Sequence, residues 1–199
     1  MFYGVPMART KAFDPDVALR AALELFWERG YEATSVTDLV EHLGIGRASL
    51  YATFGGKHEL YMKSLRRYRE TREPSPVVML SQPGPALPAV RGLVELYTED
   101  SIHDQRRRGC MIVNAAGEML PGDDTVARFV DAEWTALETA LTSALIRAQA
   151  QGELAGGRDP RALARFLLVF LQGLRLTAKG LPDPDRLRDA AAQALTILD

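Results

Sequence analysis

Apolar residues along this chain recur at spacings of three and four rather than two, and Gly and Pro cut the pattern into segments of helical length. The chain therefore reads as all-α. Asp14 and Pro15 supply an N-cap and a first helical residue, and Val17, Leu19, Ala22, Leu23, Phe26 and Trp27 form an inward stripe that ends at Gly30. Ser35, with Asp38 three residues on, predicts a capped short helix in which Val36, Leu39, Val40 and Leu43 face inward and Gly44 is the stop. A tight turn, Gly44-Ile45-Gly46, leads into a third helix over 47–53, and a fourth runs from about 57 to 72. Five prolines between residues 73 and 88 predict a linker or exposed loop. Helices at about 86–103, 106–120, 123–152, 159–179 and 183–198 follow.

Two short helices joined by a three-residue turn containing Gly, and preceded by a longer helix, have the layout of a helix-turn-helix, whose second helix enters the DNA major groove. Leu39, Val40, Leu43, Ile45 and Leu50 are the core that fixes the crossing. The outward set on the second helix is Arg47, Ala48, Ser49, Tyr51 and Thr53, small or hydrogen-bonding side chains that allow close approach to base edges and phosphates. Lys57, behind Gly55-Gly56, adds a cation where helix N–H groups already favour phosphate. Arg9 and Lys11 lie on an arm that could reach the minor groove, or on a tail with no such role.

The run from Thr34 to Leu60, with the preceding Phe26-Trp27-Glu28-Arg29-Gly30-Tyr31, resembles the signature of the TetR family of transcriptional regulators. Gly46 stands where the family often has a Ser cap, and Ala52-Thr53 where His pairs are common. The resemblance implies an arm over 1–12, a three-helix DNA-binding domain over 13–56, a connecting helix over 57–72, and a helical effector-binding and dimerisation domain over 73–199. It also implies DNA contacts by the side chains or backbone of Thr34, Thr37, Arg47, Ala48, Ser49, Tyr51, Thr53 and Lys57. The implied partners are a double-stranded inverted-repeat operator, a small-molecule effector and a second copy of the chain.

Composition changes this picture little. Charge is nearly balanced, with 11 Lys and Arg against 9 Asp and Glu in residues 1–72 and 13 against 17 thereafter, so net charge alone does not reveal a polyanion partner. With one thiol, Cys110, neither an intrachain disulfide nor a four-Cys zinc site can form, and a cytoplasmic protein is the expectation. The longest apolar run, Phe166 to Leu171, is far below the roughly 20 residues of a membrane span, and the first residues lack the features of a secretory signal. His42, His58 and His103 are scattered, no HExxH occurs, and Gly44-Ile45-Gly46 lacks both the third Gly and the strand of a dinucleotide site. No enzyme activity, cofactor or metal is expected. A helical adaptor that binds protein remains the alternative class.

In the second half, Phe166, Phe170, Leu171 and Leu174, with Leu187, Ala191, Ala194 and Leu198 on the last helix, are expected to form a two-fold four-helix interface. The expected effector pocket has Tyr97, Cys110, Met111, Met119, Phe129, Trp134 and Leu137 as lining, and Asn114 and Glu118 as polar anchors; each could equally be core. Arg106-Arg107-Arg108 just before Cys110 would favour its thiolate if they point at the sulfur, which makes redox or electrophile sensing one reading and a buried inert thiol the other.

Overall fold

The computed structural model describes residues 13–181 and 183–199, so the expected contacts of Arg9 and Lys11 lie outside the described residues. The chain divides into two compact units, one ending at Arg67 and one beginning at Tyr68. Among the described residues all regular structure is helical.

In the first unit, α1 (Pro15–Arg29) opens where the Asp14 carboxylate accepts the N–H groups of Asp16 and Val17, and it closes at Gly30. It buries Ala18, Ala22, Leu23, Leu25 and Phe26, whereas Val17 faces outward; the stripe is rotated from the expected one because Ala18 and Leu25, not Val17, meet the neighbouring helices. α2 (Val36–Leu43) begins in a reciprocal cap: Asp38 N–H donates to Ser35 Oγ at 3.1 Å, and Ser35 N–H donates to Asp38 Oδ2 at 2.8 Å. Two of the orphan donors of the first turn are thereby satisfied. Gly44, at φ 62° and ψ 30°, turns the chain in a left-handed conformation that an L side chain would adopt only under strain, and α3 (Arg47–Phe54) follows at once. Lys63 Nζ on α4 (Lys57–Thr71) donates to the Phe54 carbonyl at 3.2 Å, placing a cation at the negative end of α3. Phe26, Leu39, Leu50, Leu60, Tyr61 and Leu65 are almost wholly removed from water and form the core that sets the helix crossings. The Phe26 and Tyr61 rings meet edge-on with centroids 5.0 Å apart.

The second unit begins within α4. The proline-rich stretch expected to be a linker contains α5 (Pro76–Ser81), because Pro76 occupies the first helical turn, where its missing N–H costs nothing, and Leu80 is buried. α6 (Ala86–His103), α7 (Met111–Met119), α8 (Asp124–Ala150), α9 (Pro160–Thr177) and α10 (Pro184–Leu195) follow, with a 3₁₀ turn over Thr196–Leu198. Residues 106–110, expected to be helical, form the connection before α7. The long α8 is the hub: α5, α6, α7 and α9 all pack on it, while α10 packs on α6. Leu93, Leu141, Leu145, Leu167 and Leu171 meet at the centre of this core. Asp123, Asp159 and Asp183 cap α8, α9 and α10 through their side chains. Pro85 has no such group, and Glu153 supplies it instead, its Oε2 accepting from Ala86 N–H at 2.9 Å and Leu87 N–H at 2.8 Å.

Candidate nucleic-acid interface and buried cavity

The first unit presents one face on which Thr37, Arg47, Ala48 and Tyr51 are exposed and Ser49 and Thr53 are half-buried. Helical spacing explains the set: Leu50 and Phe54 point into the core, which leaves 47, 48 and 51 outward. Tyr51 keeps 47% of its surface in water, unusual for a large ring with no structural task there. Arg47 Nη2 donates to Thr37 Oγ1 at 3.2 Å, which joins the starts of α2 and α3 on this face. No side chain caps α3, since Gly46 stands at its N-cap and leaves the first N–H groups to an outside acceptor. Lys57 Nζ sits 4.1 Å from the centroid of the Tyr31 ring.

Of the two routes expected for Thr34, side chain or backbone, the side chain is taken up inside the unit. Thr34 is fully buried, and its hydroxyl donates to the Gly30 carbonyl at 2.7 Å, closing α1; its side chain is not on the face.

In the second unit a cavity of about 280 Å³ opens among α6, the start of α7, α8, α9 and the segment after α4. Of the expected lining, Tyr97, Cys110, Trp134 and Leu137 border it. Met111 and Met119 are packed in the core, and Phe129 carries the Arg69 guanidinium 6.0 Å from its ring. Asn114, expected as an anchor, donates to the Arg108 carbonyl at 2.9 Å and accepts from Lys179 Nζ at 2.8 Å, while Glu118 is exposed; none of these five borders the cavity.

Arg69, Arg72, Gln172 and Arg175, which the sequence reading missed, complete the polar wall. The local signal was Arg175, a cation set between Leu174 and Leu176 in the last turn of α9. Arg69 is matched by Glu133, Nη1 to Oε1 at 3.3 Å. Arg72 and Arg175 instead flank the Tyr97 ring, their guanidinium carbons 4.5 and 3.9 Å from its centroid. Arg72 Nη2, Tyr97 Oη, Trp134 Nε1 and Arg175 Nε are buried without a hydrogen-bond partner, and the four residues that carry them border this cavity. Each unmet buried polar group costs about 1–3 kcal/mol, so this clustering marks a place built for something other than stability.

Cys110 is the N-cap residue of α7, 3% exposed. Burial pushes its thiol up, but the Arg175 and Arg72 guanidiniums, the Val113 N–H and the Tyr68 hydroxyl outweigh that and hold it below the ordinary value. The arginines that act on the sulfur are thus not the expected run 106–108. That run lies in a loop in which Arg107 and Gly109 both have positive φ, and Arg107 Nη1 donates to the Gly180 carbonyl. Gly109 is required there, since a Cβ would come within 3.1 Å of the Arg175 carbonyl.

The interface expected on the last two long helices is also redrawn. Leu171, Leu174, Leu187, Ala191, Ala194 and Leu198 are covered within the chain itself, because α9 and α10 close the core over α6 and α8. The apolar residues left in water on α9 are Phe166, Val169 and Leu176, with Phe170 half-buried and stacked on Phe166 at 6.3 Å.

Comparison with known proteins bears on both units. The family model described as bacterial regulatory proteins, tetR family, matches residues 18–62. A second, described as tetracyclin repressor-like, C-terminal domain, matches residues 86–194. The chain is 38% identical over 194 residues to YezE, an uncharacterised HTH-type transcriptional regulator of Bacillus subtilis strain 168, covering 97% of this chain and 100% of that one. It is 30% identical over 190 residues to the HTH-type transcriptional repressor ComR of Escherichia coli K12, covering 95% and 90%. Among solved structures it is similar to a cysteine mutant of the regulator CifR complexed with 26-bp double-strand operator DNA, with 32% identity, a TM-score of 0.84, and 96% and 100% of the two chains covered.

Proposed function

The chain belongs to the TetR family of bacterial transcriptional regulators, and from that premise we propose that it is a homodimeric repressor released from an inverted-repeat operator by a small effector bound in the second unit. The observation that carries DNA recognition is the exposed face of α3, where Arg47, Ala48 and Tyr51 stand outward on a helix fixed by Leu39, Leu50 and Phe54. Arg47 supplies a fork for guanine or phosphate, Ala48 allows close approach, and the uncapped start of α3 offers N–H groups to a phosphate oxygen. Thr37, Ser49, Thr53 and Lys57 position the helix through the backbone of the duplex. A relative solved on operator DNA, and a relative described as a repressor, support this reading.

The dimer forms through the outward stripe of α9, Phe166, Val169, Phe170 and Leu176, beside α10. Two-fold symmetry presents two α3 helices to successive major grooves, hence the inverted repeat. The effector occupies the cavity walled by Tyr97, Cys110, Trp134 and Arg175, and it lowers operator affinity only by its preference for a dimer geometry with wrongly spaced recognition helices. The protein acts by binding rather than by turnover, in the cytoplasm where its DNA lies. No helix among the described residues is long and apolar enough to cross a membrane.

The test is selection of bound duplexes from a random library, followed by salt-dependent binding of the winner to wild type and Tyr51→Ala. Enrichment of an inverted repeat that wild type binds and the variant loses is the expected result. No enrichment, or equal binding by both, overturns the reading.

A further inference from the structure

The four unpartnered groups around the cavity share one chemistry. Arg72 Nη2, Trp134 Nε1 and Arg175 Nε are donors with no accepting ability, and the Tyr97 hydroxyl, whose buried surroundings disfavour ionisation, keeps its proton to donate. Tyr97 and Arg175 are 2% and 7% exposed, so these groups do not find water by facing outward. A wall of donors requires a ligand with acceptor oxygen. Beside them the cavity is lined by Pro76, Val77, Ile112, Ala136 and Leu137, which requires an apolar body on the same ligand. Cys110 borders the same space, so a molecule seated on the donors lies against the one thiol in the chain.

We propose that the effector is a small α,β-unsaturated carbonyl compound, and that Cys110 adds to it covalently while Tyr97 and Arg175 bind its carbonyl oxygen. The arrangement divides the labour of a conjugate addition. The sulfur gives its proton to solvent and attacks the β-carbon, forming the C–S bond. The C=C pair shifts to join the α-carbon and the carbonyl carbon, the C=O π pair moves onto the oxygen, and the enolate that develops is held by the donor wall. The α-carbon then takes a proton from water, and the hydroxide left behind neutralises the proton first released. The net change is addition of S–H across the double bond: no group leaves and no oxidant or reductant is consumed. Arg72 and Arg175 favour the attacking thiolate before the ligand arrives. Once the sulfur is alkylated their charges lose that partner, a change in the packing of α9 against the start of α7 that the adduct imposes on the second unit. This consequence rests on the repressor reading above; the addition itself does not.

The experiment uses the full chain with methyl vinyl ketone as probe and butanone, its saturated counterpart, as control, read by intact mass and peptide mapping. Methyl methanethiosulfonate, a small thiol reagent without a carbonyl, reports the reactivity of the sulfur alone, and hydrogen peroxide tests an oxidative switch. The expected result is a single adduct at Cys110, none in Cys110→Ser, and loss of operator binding in wild type only. Tyr97→Phe, which keeps the ring between the arginines, is expected to slow the enone reaction at least about tenfold relative to the thiosulfonate reaction, since one oxyanion donor is lost.

Labelling by the thiosulfonate but not by the enone, labelling by neither, or an unchanged ratio in Tyr97→Phe overturns the proposal. So does release from the operator by peroxide but not by enone. Untreated protein that binds no duplex overturns the repressor reading instead, and the mass and rate data then decide the addition chemistry by themselves.

Discussion

Arg47 Nη2 and Thr37 Oγ1 are 3.2 Å apart, so the guanidinium that leads the recognition helix is held by the first turn of the helix before it. A long side chain fixed in advance loses less freedom when it meets a base or phosphate, a saving of about 0.5–1.5 kcal/mol for a rotamer-rich group. Arg47→Ala is therefore expected to weaken binding of the selected duplex by about 1–3 kcal/mol. Thr37→Val, which frees the guanidinium, is expected to cost less. The two effects should sum to less than their separate values, because the part of the Thr37→Val cost that runs through the guanidinium is gone once Arg47 is removed. Fluorescence anisotropy of the labelled duplex at fixed salt measures all three variants, and Arg47→Ala binding within twofold of wild type would remove Arg47 from the interface.

The reciprocal cap between Ser35 and Asp38 has a signature in stability. Ser35→Ala removes the acceptor for Asp38 N–H and is expected to lower the unfolding free energy by about 1 kcal/mol at neutral pH, measured by urea titration. The Ser35 hydroxyl and the Ser35 N–H, with help from Arg29, hold the Asp38 carboxyl below the usual carboxylate range. A depressed acid stabilises the fold above its ordinary value and loses that contribution as pH falls through its lowered one. The gap between wild type and Ser35→Ala should accordingly narrow in acid. A gap that stays constant would mean that the carboxylate takes no part in the cap.

How far the sequence carries depends on distance along the chain. The cap at Asp14, the reciprocal pair of Ser35 and Asp38 and the turn at Gly44 are local, written in residues that touch within a helical turn, and all three are found where the residue types put them. Pro76 misled for the opposite reason: proline ends a helix from inside but starts one well, and only the burial of Leu80 reveals which applies. The cavity was half legible. Tyr97, Cys110, Trp134 and Leu137 announced themselves as aromatic, thiol or apolar groups, but the cations that define its chemistry, Arg72 and Arg175, stand about a hundred residues apart and meet only because α9 packs across α6 and α7. Three arginines adjacent to Cys110 in sequence gave a plausible but wrong source for the same charge.

Titration of Cys110 follows from that corrected environment. The groups facing its sulfur are Tyr68 from α4, Arg72 after it, Tyr97 from α6 and Arg175 from α9. Burial opposes the thiolate and the two guanidiniums more than offset it, so the folded thiol titrates below its ordinary value. By linkage, the stabilisation is complete above the unfolded value and fades as pH falls through the folded one. The rate of modification by methyl methanethiosulfonate is expected to show a midpoint below that of a free thiol, and Arg175→Met to raise it. A wild-type midpoint at or above the free-thiol value would mean that burial, not the arginine pair, governs the sulfur.

The outward face of α9 makes the last prediction. Val169 is 71% and Leu176 58% exposed, and Phe166 stacks on Phe170 beside them, positions that recur at three, four and seven along one side of the helix. An apolar stripe of this kind in water is unfavourable at about 25 cal/mol per Å² and gains that amount when a second copy covers it. If the two-fold axis passes through this stripe, Val169 lies near its own symmetry mate, and Val169→Glu brings two carboxylates together in an apolar seam. The substitution touches little of the chain's own core, so the folded protomer should survive with an unchanged helical spectrum. Sizing with light scattering at micromolar concentration is expected to give a dimer for wild type and Val169→Ala and a monomer for Val169→Glu. The monomer should also lose the inverted-repeat duplex, because one α3 helix forfeits the half-site gain of the other. A Val169→Glu protein that remains dimeric would place the interface on a different face and separate it from α9.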